Sequence, residues 1–362
     1  MPIVPLLDAS ERCGAKARNL GLLLRAGFRV PDGFVIPDPL GDPGWEREID
    51  IGLRRLGPGP FAVRSSALAE DGVECSFAGQ LTTTLGVTTS AEVIEAVHRS
   101  AASGSSPEAV AYAARTDREA PASAGVIVQV MVQPETAGVM FTRHPLTGTE
   151  QVVIEAARGL GEAVVAGTVT PEAYLVDGVH VQVARHWGGQ LLTTAQALAV
   201  AALGRDVESL FGCPQDIEWA IAGDDIWVLQ ARPITTASSA ALPVRAMPGE
   251  MLLTGVAASP GTAAGPARII GSLDDFARFR SGDVLVCRTT SPAWTPLLAR
   301  ACAVVTETGG MLAHAAIVAR EFGIPAVLAA PGAMTILTEG RRVRVDGTHG
   351  HVGTATGNAG TS

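Results

Sequence analysis

Apolar positions follow two different periods in the first two thirds of the chain. A spacing of three and four residues is typical of a helix with one buried face, and short β-branched or alternating runs are typical of strands. The first period predicts helices over 17–26, 91–102, 105–114 and 194–211. The second predicts strands over 34–36, 61–64, 125–132, 138–141, 151–155 and 226–230, with 216–220 as a hairpin partner. This part of the chain is therefore predicted to be an α+β domain.

The final third predicts a smaller domain of another kind. Short buried runs over 284–288, 303–306, 325–328 and 342–345 are interleaved with helical patterns over 295–301 and 313–322, an order typical of an α/β domain. A stretch rich in Ser, Ala and Pro before it has neither period, as expected of a linker. We therefore predict a first domain over 1–234, a linker over 235–251, a second domain over 252–353 and a disordered tail over 354–362.

Composition and charge restrict the kind of partner. The 362 residues carry a net charge of −9 and no basic run that could follow a phosphate backbone, so nucleic acid is not expected. The apolar runs fall well short of the roughly 20 residues that span a bilayer, and the N-terminus lacks the pattern of a secretory signal. We expect a cytoplasmic protein without a membrane partner.

One lysine stands out in this composition. Of the 27 basic residues, 26 are Arg, and the only Lys is Lys16, near the start of the first predicted helix. An ammonium group can place a compact point charge against a phosphate, which the planar guanidinium of Arg cannot do. Lys16 is therefore a candidate phosphate ligand. The alternative is that this one Lys is present by chance and has no special role.

One histidine has a setting that suits phosphate chemistry. In TETGGMLAHAAIVAR, His314 follows a Gly-Gly turn and begins an apolar helix. The N–H groups and positive dipole end of a helix N-terminus favour a phosphate and lower the pKa of an imidazole, leaving it neutral and nucleophilic. Thr306 and Thr308 are expected to add hydroxyl hydrogen bonds. The alternative is a capping or core histidine, and the other six histidines are predicted to be structural or surface residues.

Two further clusters could bind a nucleotide. In QDIEWAIAGDDIWVLQARPIT, a hairpin would place Glu218 and Gln230 on one face, where a carboxylate and an amide oxygen could hold Mg²⁺ beside Arg232. In FAVRSSALAEDGVECSFAGQLTTTLGV, Arg64 ends a strand and a loop with Gly and Thr follows, so guanidinium, N–H and hydroxyl groups could meet a polyphosphate. The alternative for the first cluster is an ordinary surface hairpin. The alternative for the Thr run of the second cluster is an edge strand.

Taken together, these stretches resemble the phosphoenolpyruvate synthase and pyruvate phosphate dikinase family over nearly the whole chain. Five blocks resemble its ATP-grasp domain: GAKARNLGLLLRAGFRVPDGFVI, FAVRSSALAEDGVECSFAGQ, GVMFTRHPLTG, IEAARGLGEAVVAGTVTPEAY and DIEWAIAGDDIWVLQARPIT. The block CRTTSPAWTPLLARACAVVTETGGMLAHAAIVAREFGIPAVLA resembles its swivelling phosphohistidine domain. The resemblance implies an α+β ATP-grasp domain followed by a small α/β swivelling domain.

The resemblance also implies roles for individual residues, with ATP and Mg²⁺ as cofactors. It makes His314 the phosphoryl carrier, which receives the β-phosphate as ATP is split into AMP and phosphate. The implied ATP ligands are Lys16 and Arg64 on the phosphates, Gly79 and Thr83 in the phosphate loop, Gln129, Met131 and Val132 around the adenine, and Arg232 beside the Mg²⁺ ligands Glu218 and Gln230.

The sequence departs from the family pattern at three points. Ala313 stands where the family usually has Ser before the histidine, and only about 24 residues separate the predicted strands at 34–36 and 61–64, where a longer helical insertion is usual. We also expect neither a pyruvate-binding barrel nor the drug-binding domain of rifampin phosphotransferase. The acceptor of the phosphoryl group is therefore open.

Three functions are compatible with this pattern. The first is a phosphotransferase that passes the β-phosphate through His314 to a small-molecule acceptor. The second is a phosphocarrier subunit of a split phosphoenolpyruvate synthase-like enzyme, whose acceptor site lies on a partner protein. The third is an ATP-sensing module without catalysis. The presence of Lys16, Glu218 and His314 in one chain argues against this third function.

Overall fold

The computed structural model describes residues 3–67, 83–103, 106, 125–185, 190–234 and 250–355. The contacts divide the chain into two units. The first comprises Met1–Arg143, Glu150–Gly161 and Glu172–Thr235; the second comprises His144–Thr149, Glu162–Pro171 and Thr236–Ser362. Two short segments of the predicted 1–234 domain thus group with the second unit. Most of the predicted linker and tail, nearly all of the predicted helix at 105–114, and Gly79 lie outside the described residues.

The first unit begins with an antiparallel five-stranded sheet. Two helices, α2 (Ile49–Leu56) and α3 (Ser90–Ala102), contribute to its core with Phe34, Trp45 and Val128. Helix α3 begins one residue before its predicted start, where Thr89 and Glu92 form a capping box. The strands are β1 (Val4–Pro5), β2 (Gly33–Ile36), β3 (Phe61–Ser66), β4 (Thr83–Val87) and β5 (Gly125–Val130), in the order β1-β2-β5-β3-β4.

Helix α1 (Ala15–Arg25) is seated against the end of β3 by a glycine. Gly14 has φ 86°, and a Cβ there would lie 1.9 Å from the carbonyl oxygen of Ser66, so only Gly permits this approach. Two N–H groups of the first turn that lack a partner within the helix are satisfied by β3 and the residue after it: Ala15 N donates to Ala67 O and Ala17 N to Ser66 Oγ. The start of α1, including Lys16, is therefore fixed beside β3.

A second antiparallel sheet completes the first unit. Helix α5 (Thr194–Phe211) has the predicted bounds and shares a core with Met140, Tyr174 and Trp219. The strands are β6 (Thr136–Phe141), β7 (Val152–Arg158), β8 (Glu172–Asp177), β9 (His180–Arg185), β10 (Gln215–Ala222) and β11 (Asp225–Pro233), in the order β11-β10-β6-β7-β8-β9.

The second unit contains one eight-stranded sheet with a buried core of Val286, Val305 and Val327. The strands are β12 (Met251–Thr254), β13 (Val256–Ser259), β14 (Thr262–Ile269), β15 (Val284–Cys287), β16 (Ala303–Thr306), β17 (Ala326–Leu328), β18 (Arg342–Asp346) and β19 (His351–Thr354), in the order β12-β19-β18-β14-β15-β16-β17-β13. Strands β14 to β17 are neighbours and parallel, and the other pairs are antiparallel. The helices of this unit are α4 (Glu162–Val165), α6 (Thr295–Leu298), α7 (His314–Phe322) and α8 (Ala333–Ile336).

Most predicted elements are present, and the differences have simple causes. Only one turn of the helix predicted over 295–301 forms, as α6. The residues that follow α6 make a turn that leads into β16. Met251 begins β12 although composition placed it in the linker, because pairing with β19 decides its conformation. Seven of the strands are not predicted from the sequence: β1, β8, β9, β12, β13, β14 and β19. No helix among the described residues is long and apolar enough to cross a bilayer.

Candidate functional site

The hairpin of β10 and β11 places Glu218 and Gln230 directly opposite each other. Directly opposed residues of an antiparallel pair point to the same face, as the sequence predicts. The register shifts after Glu218 so that Leu229 is passed over, which makes a β-bulge next to the pair. The bulge was not predicted, because a run such as IWVLQ contains no local signal for it.

The guanidinium of Arg64, on β3, holds this pair together. Its Nη2 donates to Glu218 Oε2 at 2.5 Å and to Gln230 Oε1 at 3.0 Å, while Nη1 donates to Leu229 O at 2.7 Å. Two side-chain oxygens thus converge on one nitrogen atom. A carboxylate and an amide oxygen that face one point are donors that suit Mg²⁺, so the residues present fit the cation. No group of three His, Cys, Asp or Glu side chains suited to a metal occurs in the described part of the chain.

Three cations act on the Glu218 carboxylate. Burial raises the pKa of Glu218, but the charges of Arg64, Lys16 and Arg232 outweigh burial and hold the pKa below its ordinary value. Lys16 is buried in the first turn of α1. Arg232 donates from Nε and Nη2 to Asp216 Oδ2 at 2.8 and 2.7 Å. The structure therefore gathers all the predicted phosphate-binding cations around one carboxylate.

The other predicted nucleotide ligands lie on the first sheet. Thr83 is exposed at the start of β4 and is the cross-strand partner of Arg64, so both side chains share a face. Gln129 is buried on β5 and donates from Nε2 to Pro31 O at 2.9 Å. Met131 and Val132, the two residues after β5, are partly exposed. The adenine-pocket roles of these three residues stay predictions, as does the role of Gly79.

In the second unit, His314 is the first residue of α7 and is 3% exposed. Its Nδ1 lies 2.9 Å from Oγ1 of Thr290, which is also buried. Burial lowers the pKa of His314 to about 4, so the ring is neutral at pH 7. The sequence predicts a lowered pKa from the helix terminus, and in the structure burial of the ring lowers the pKa of His314 as well.

The threonines predicted to serve the histidine bind backbone instead. Thr306 Oγ1 donates to Thr308 O at 2.6 Å, and Thr308 Oγ1 donates to the carbonyls of Gly167 and Arg288 at 2.8 and 3.0 Å. The hydroxyl at the ring is that of Thr290, which sequence reasoning missed. A signal was available, because Thr290 and His314 follow β15 and β16, and the carboxyl ends of neighbouring parallel strands lie at the same edge of a sheet.

A segment from the first part of the chain packs against these loops within the second unit. Thr289, next to Thr290, donates from Oγ1 to the carbonyl of Gly167 at 2.9 Å, and Thr308 donates to the same carbonyl. Gly167 has φ 66°, and a Cβ there would lie 3.2 Å from the Cβ of Ala313. The segment Glu162–Pro171 thus reaches the residue that directly precedes His314.

Two further histidines make local contacts. His144 Nδ1 accepts from the backbone N–H groups of Leu146 and Thr147, and burial together with the charge of Arg320 lowers its pKa. His349 Nδ1 lies 2.8 Å from Asp346 Oδ2. These contacts organise turns, in line with the structural role predicted for both residues.

Comparison with known families gives two matches. Residues 46–190 and 179–248 match the family described as pyruvate phosphate dikinase, AMP/ATP-binding domain, and residues 279–350 match the family described as PEP-utilising enzyme, mobile domain. The second match contains the histidine loop, and the first contains Arg64, Glu218 and Gln230.

Individual relatives give the same result. The chain is 34% identical to the probable phosphoenolpyruvate synthase of Archaeoglobus fulgidus over 97% of this chain and 58% of that protein. It is 38% identical to the probable phosphoenolpyruvate synthase of Methanothermobacter thermautotrophicus over 94% of this chain and 61% of that protein. A solved D-alanine–D-alanine ligase from Bacillus anthracis, complexed with ATP, covers 61% of this chain and 54% of its own at 10% identity and a TM-score of 0.32, too weak a likeness to support an argument.

The matched regions define an AMP/ATP-binding domain joined to a mobile PEP-utilising domain. The chain belongs to the phosphoenolpyruvate synthase and pyruvate phosphate dikinase family, which confirms the resemblance and the predicted fold class. It spans about three fifths of the length of the two archaeal relatives.

Proposed function

We propose that this chain is an ATP-dependent phosphotransferase of the dikinase type. It splits ATP into AMP and phosphate, carries the β-phosphate on His314 and passes it to a small-molecule acceptor. The observation that carries the proposal is the buried, neutral imidazole of His314, held at Nδ1 by Thr290, in a chain of this family. A neutral ring is the form that has a lone pair for nucleophilic attack.

In the first unit, the cations around Glu218 bind the nucleotide. Lys16, Arg64 and Arg232 neutralise the phosphates, and Thr83, on the same face as Arg64, adds a hydroxyl. Glu218 and Gln230 would hold Mg²⁺, which would neutralise negative charge on the phosphates. Phosphoryl transfer depends chiefly on such positioning and charge neutralisation. Gly79, Gln129, Met131 and Val132 complete the site in this proposal.

In the second unit, Thr290 orients the nucleophile through its contact with Nδ1. If Nδ1 carries the proton, its N–H donates a hydrogen bond to Thr290 Oγ1 and the lone pair is on Nε2. Attack by Nε2 on the β-phosphorus forms one P–N bond and breaks the bond to the α-phosphate oxygen, which releases AMP. Water then takes the γ-phosphoryl group as inorganic phosphate and leaves the β-phosphoryl group on the ring.

The acceptor is a small molecule that lacks an assigned site on this chain. Relatives of this chain are named phosphoenolpyruvate synthases, so pyruvate is the first acceptor to test. The enol oxygen of pyruvate would take the phosphoryl group from Nε2, and the ring would return to its neutral form.

The proposal is tested with ATP labelled at the β-phosphate. The purified chain and its His314→Gln variant are incubated with Mg²⁺ and labelled ATP, and acid-labile protein label, AMP and ADP are measured. We expect label and AMP with the wild type and neither with the variant. ADP as the product, or label that survives in the variant, would contradict the relay through His314.

A chase separates the two acceptor arrangements. The labelled chain is mixed with pyruvate, with a panel of hydroxyl-bearing small molecules, or with cell extract fractions containing protein. Loss of label to a small molecule added alone supports transfer by this chain itself. Loss that requires a protein fraction supports the alternative of a phosphocarrier subunit.

A further inference from the structure

Arg64 binds the same two oxygens that the proposed function gives to Mg²⁺. Its Nη2 lies 2.5 Å from Glu218 Oε2 and 3.0 Å from Gln230 Oε1, and the bulge beside them supplies a third acceptor, Leu229 O, to Nη1. The side chain of Arg64 is 12% exposed and that of Glu218 is 24% exposed, so water competes weakly for these bonds. The guanidinium is thus built into the centre of the candidate metal site.

The guanidinium and a metal ion exclude each other at this position. Mg²⁺ binds oxygen at about 2.1 Å, so a cation that shares both oxygens would occupy nearly the same point as Nη2. Two positive groups so close in a partly buried site repel strongly. Arg64 must therefore release Glu218 and Gln230 before both can ligate a metal.

A nucleotide offers Arg64 a better set of acceptors than it has here. The Nε of Arg64 is buried and has no hydrogen-bond partner among the described residues. A buried donor left unpaired costs about 1–3 kcal/mol. Phosphate oxygens accept in the planar, bidentate geometry of a guanidinium. Thr83, the exposed cross-strand partner of Arg64, has its side chain on the same face.

We propose that Arg64 is a placeholder for the divalent cation: it holds Glu218 and Gln230 until metal and nucleotide arrive together, and then transfers to the phosphates. This inference rests on the ATP site proposed above. Its consequence is a coupling between the two ligands. The metal ion binds weakly by itself because it must displace Arg64, and the nucleotide strengthens metal binding because it gives Arg64 another partner; the coupling is reciprocal.

Mn²⁺ is the probe, and its binding is measured without turnover. Free Mn²⁺ is quantified by electron paramagnetic resonance in the absence of nucleotide and with a non-hydrolysable ATP analogue. The informative variant is Arg64→Lys, which keeps the positive charge but cannot offer one nitrogen to both oxygens while another binds Leu229 O. Arg29→Lys is the matched control, since Arg29 pairs with Asp225 at the other end of the same hairpin strand.

We expect Arg64→Lys to bind Mn²⁺ about tenfold more tightly than wild type without nucleotide, and to lose most of the nucleotide-dependent increase in Mn²⁺ affinity. Arg29→Lys should match wild type in both respects. Unchanged or weaker Mn²⁺ binding by Arg64→Lys, in a variant with wild-type thermal stability, would overturn the placeholder role. Arg64→Gln is the second variant should Arg64→Lys fold poorly, and it should show the same gain.

Failure of the proposed function gives a different result. If Glu218→Gln leaves Mn²⁺ binding in the presence of the ATP analogue unchanged, the metal site itself is misplaced and both proposals fail. If Glu218→Gln abolishes this binding and Arg64→Lys changes nothing, the metal site stands and only the placeholder role is wrong.

Discussion

The contact between Thr290 and His314 holds the imidazole ring in place. One hydrogen bond of 2.9 Å between buried groups orients the imidazole through Nδ1. Burial keeps the ring neutral. Orientation and protonation are therefore set by different neighbours and can be tested separately.

Replacement of Thr290 tests orientation. Thr290→Val keeps the shape of the side chain and removes the hydroxyl, so we expect the rate of His314 labelling from ATP to fall about tenfold, equivalent to roughly 1.4 kcal/mol. Thr290→Ser should restore most of the rate, and the KM for ATP should stay the same in both variants because ATP binds the other unit in our proposal. A wild-type rate in Thr290→Val would show that the hydroxyl does not position the ring.

Replacement of His314 tests protonation. The unfolded chain binds a proton at His314 below pH 6.5, whereas the folded chain does so only near pH 4, so this residue makes stability fall as pH falls through that window. The full difference amounts to roughly 3 kcal/mol. Denaturant unfolding of wild type and His314→Gln at pH 7 and pH 4.5 should show a smaller loss in the variant. An equal loss in both proteins would mean that the ring is protonated in the folded state.

Helix α1 positions the side chain of Lys16 at the candidate nucleotide site. Its start is placed by the close approach of Gly14 to Ser66 and by two backbone donors that bind the end of β3 and the residue after it. Lys16 lies in that first turn, and its positive charge helps to lower the pKa of Glu218. The position of this cation therefore depends on one glycine two residues away.

Two glycines that flank α1 form a matched pair for testing this arrangement. Gly14 and Gly27 have φ of 86° and 85°, but a Cβ on Gly27 would have no atom within 4 Å. Gly27→Ala should cost only the strain of a positive φ, about 1 kcal/mol, whereas Gly14→Ala should cost about 3 kcal/mol and weaken ATP binding. Equal unfolding free energies for the two variants would contradict the steric role of Gly14.

At the scale of the whole molecule, each of the two units has its own buried core. Val128 lies in the first core and Val305 in the second, and both are fully buried. Units with separate cores are expected to unfold in separate transitions.

Calorimetry with one core variant in each unit tests this independence. Val128→Ala and Val305→Ala should each remove about 2 kcal/mol from a different transition. Mg²⁺ and ATP should raise only the transition that Val128→Ala lowers, since a ligand stabilises the unit that binds it. A single transition lowered by both variants would show that the units unfold as one.

The sequence by itself determined the elements with strong local patterns and the residue types of the site. The helix at 194–211, the buried strands at 284–288 and 303–306, and the facing pair Glu218 and Gln230 follow from periodicity and hairpin geometry, and the structure places them accordingly. The family follows from long motifs in order along the chain.

Only the tertiary structure decided which side chains meet. Arg64 and Glu218 are 154 residues apart, and Thr290 and His314 are 24 apart on different loops. No local period encodes such contacts, because they depend on strand order, on the bulge at Leu229 and on the approach that Gly14 permits. The pKa of His314 belongs to this group as well: a helix start is visible in sequence, but burial of the ring by distant residues is not.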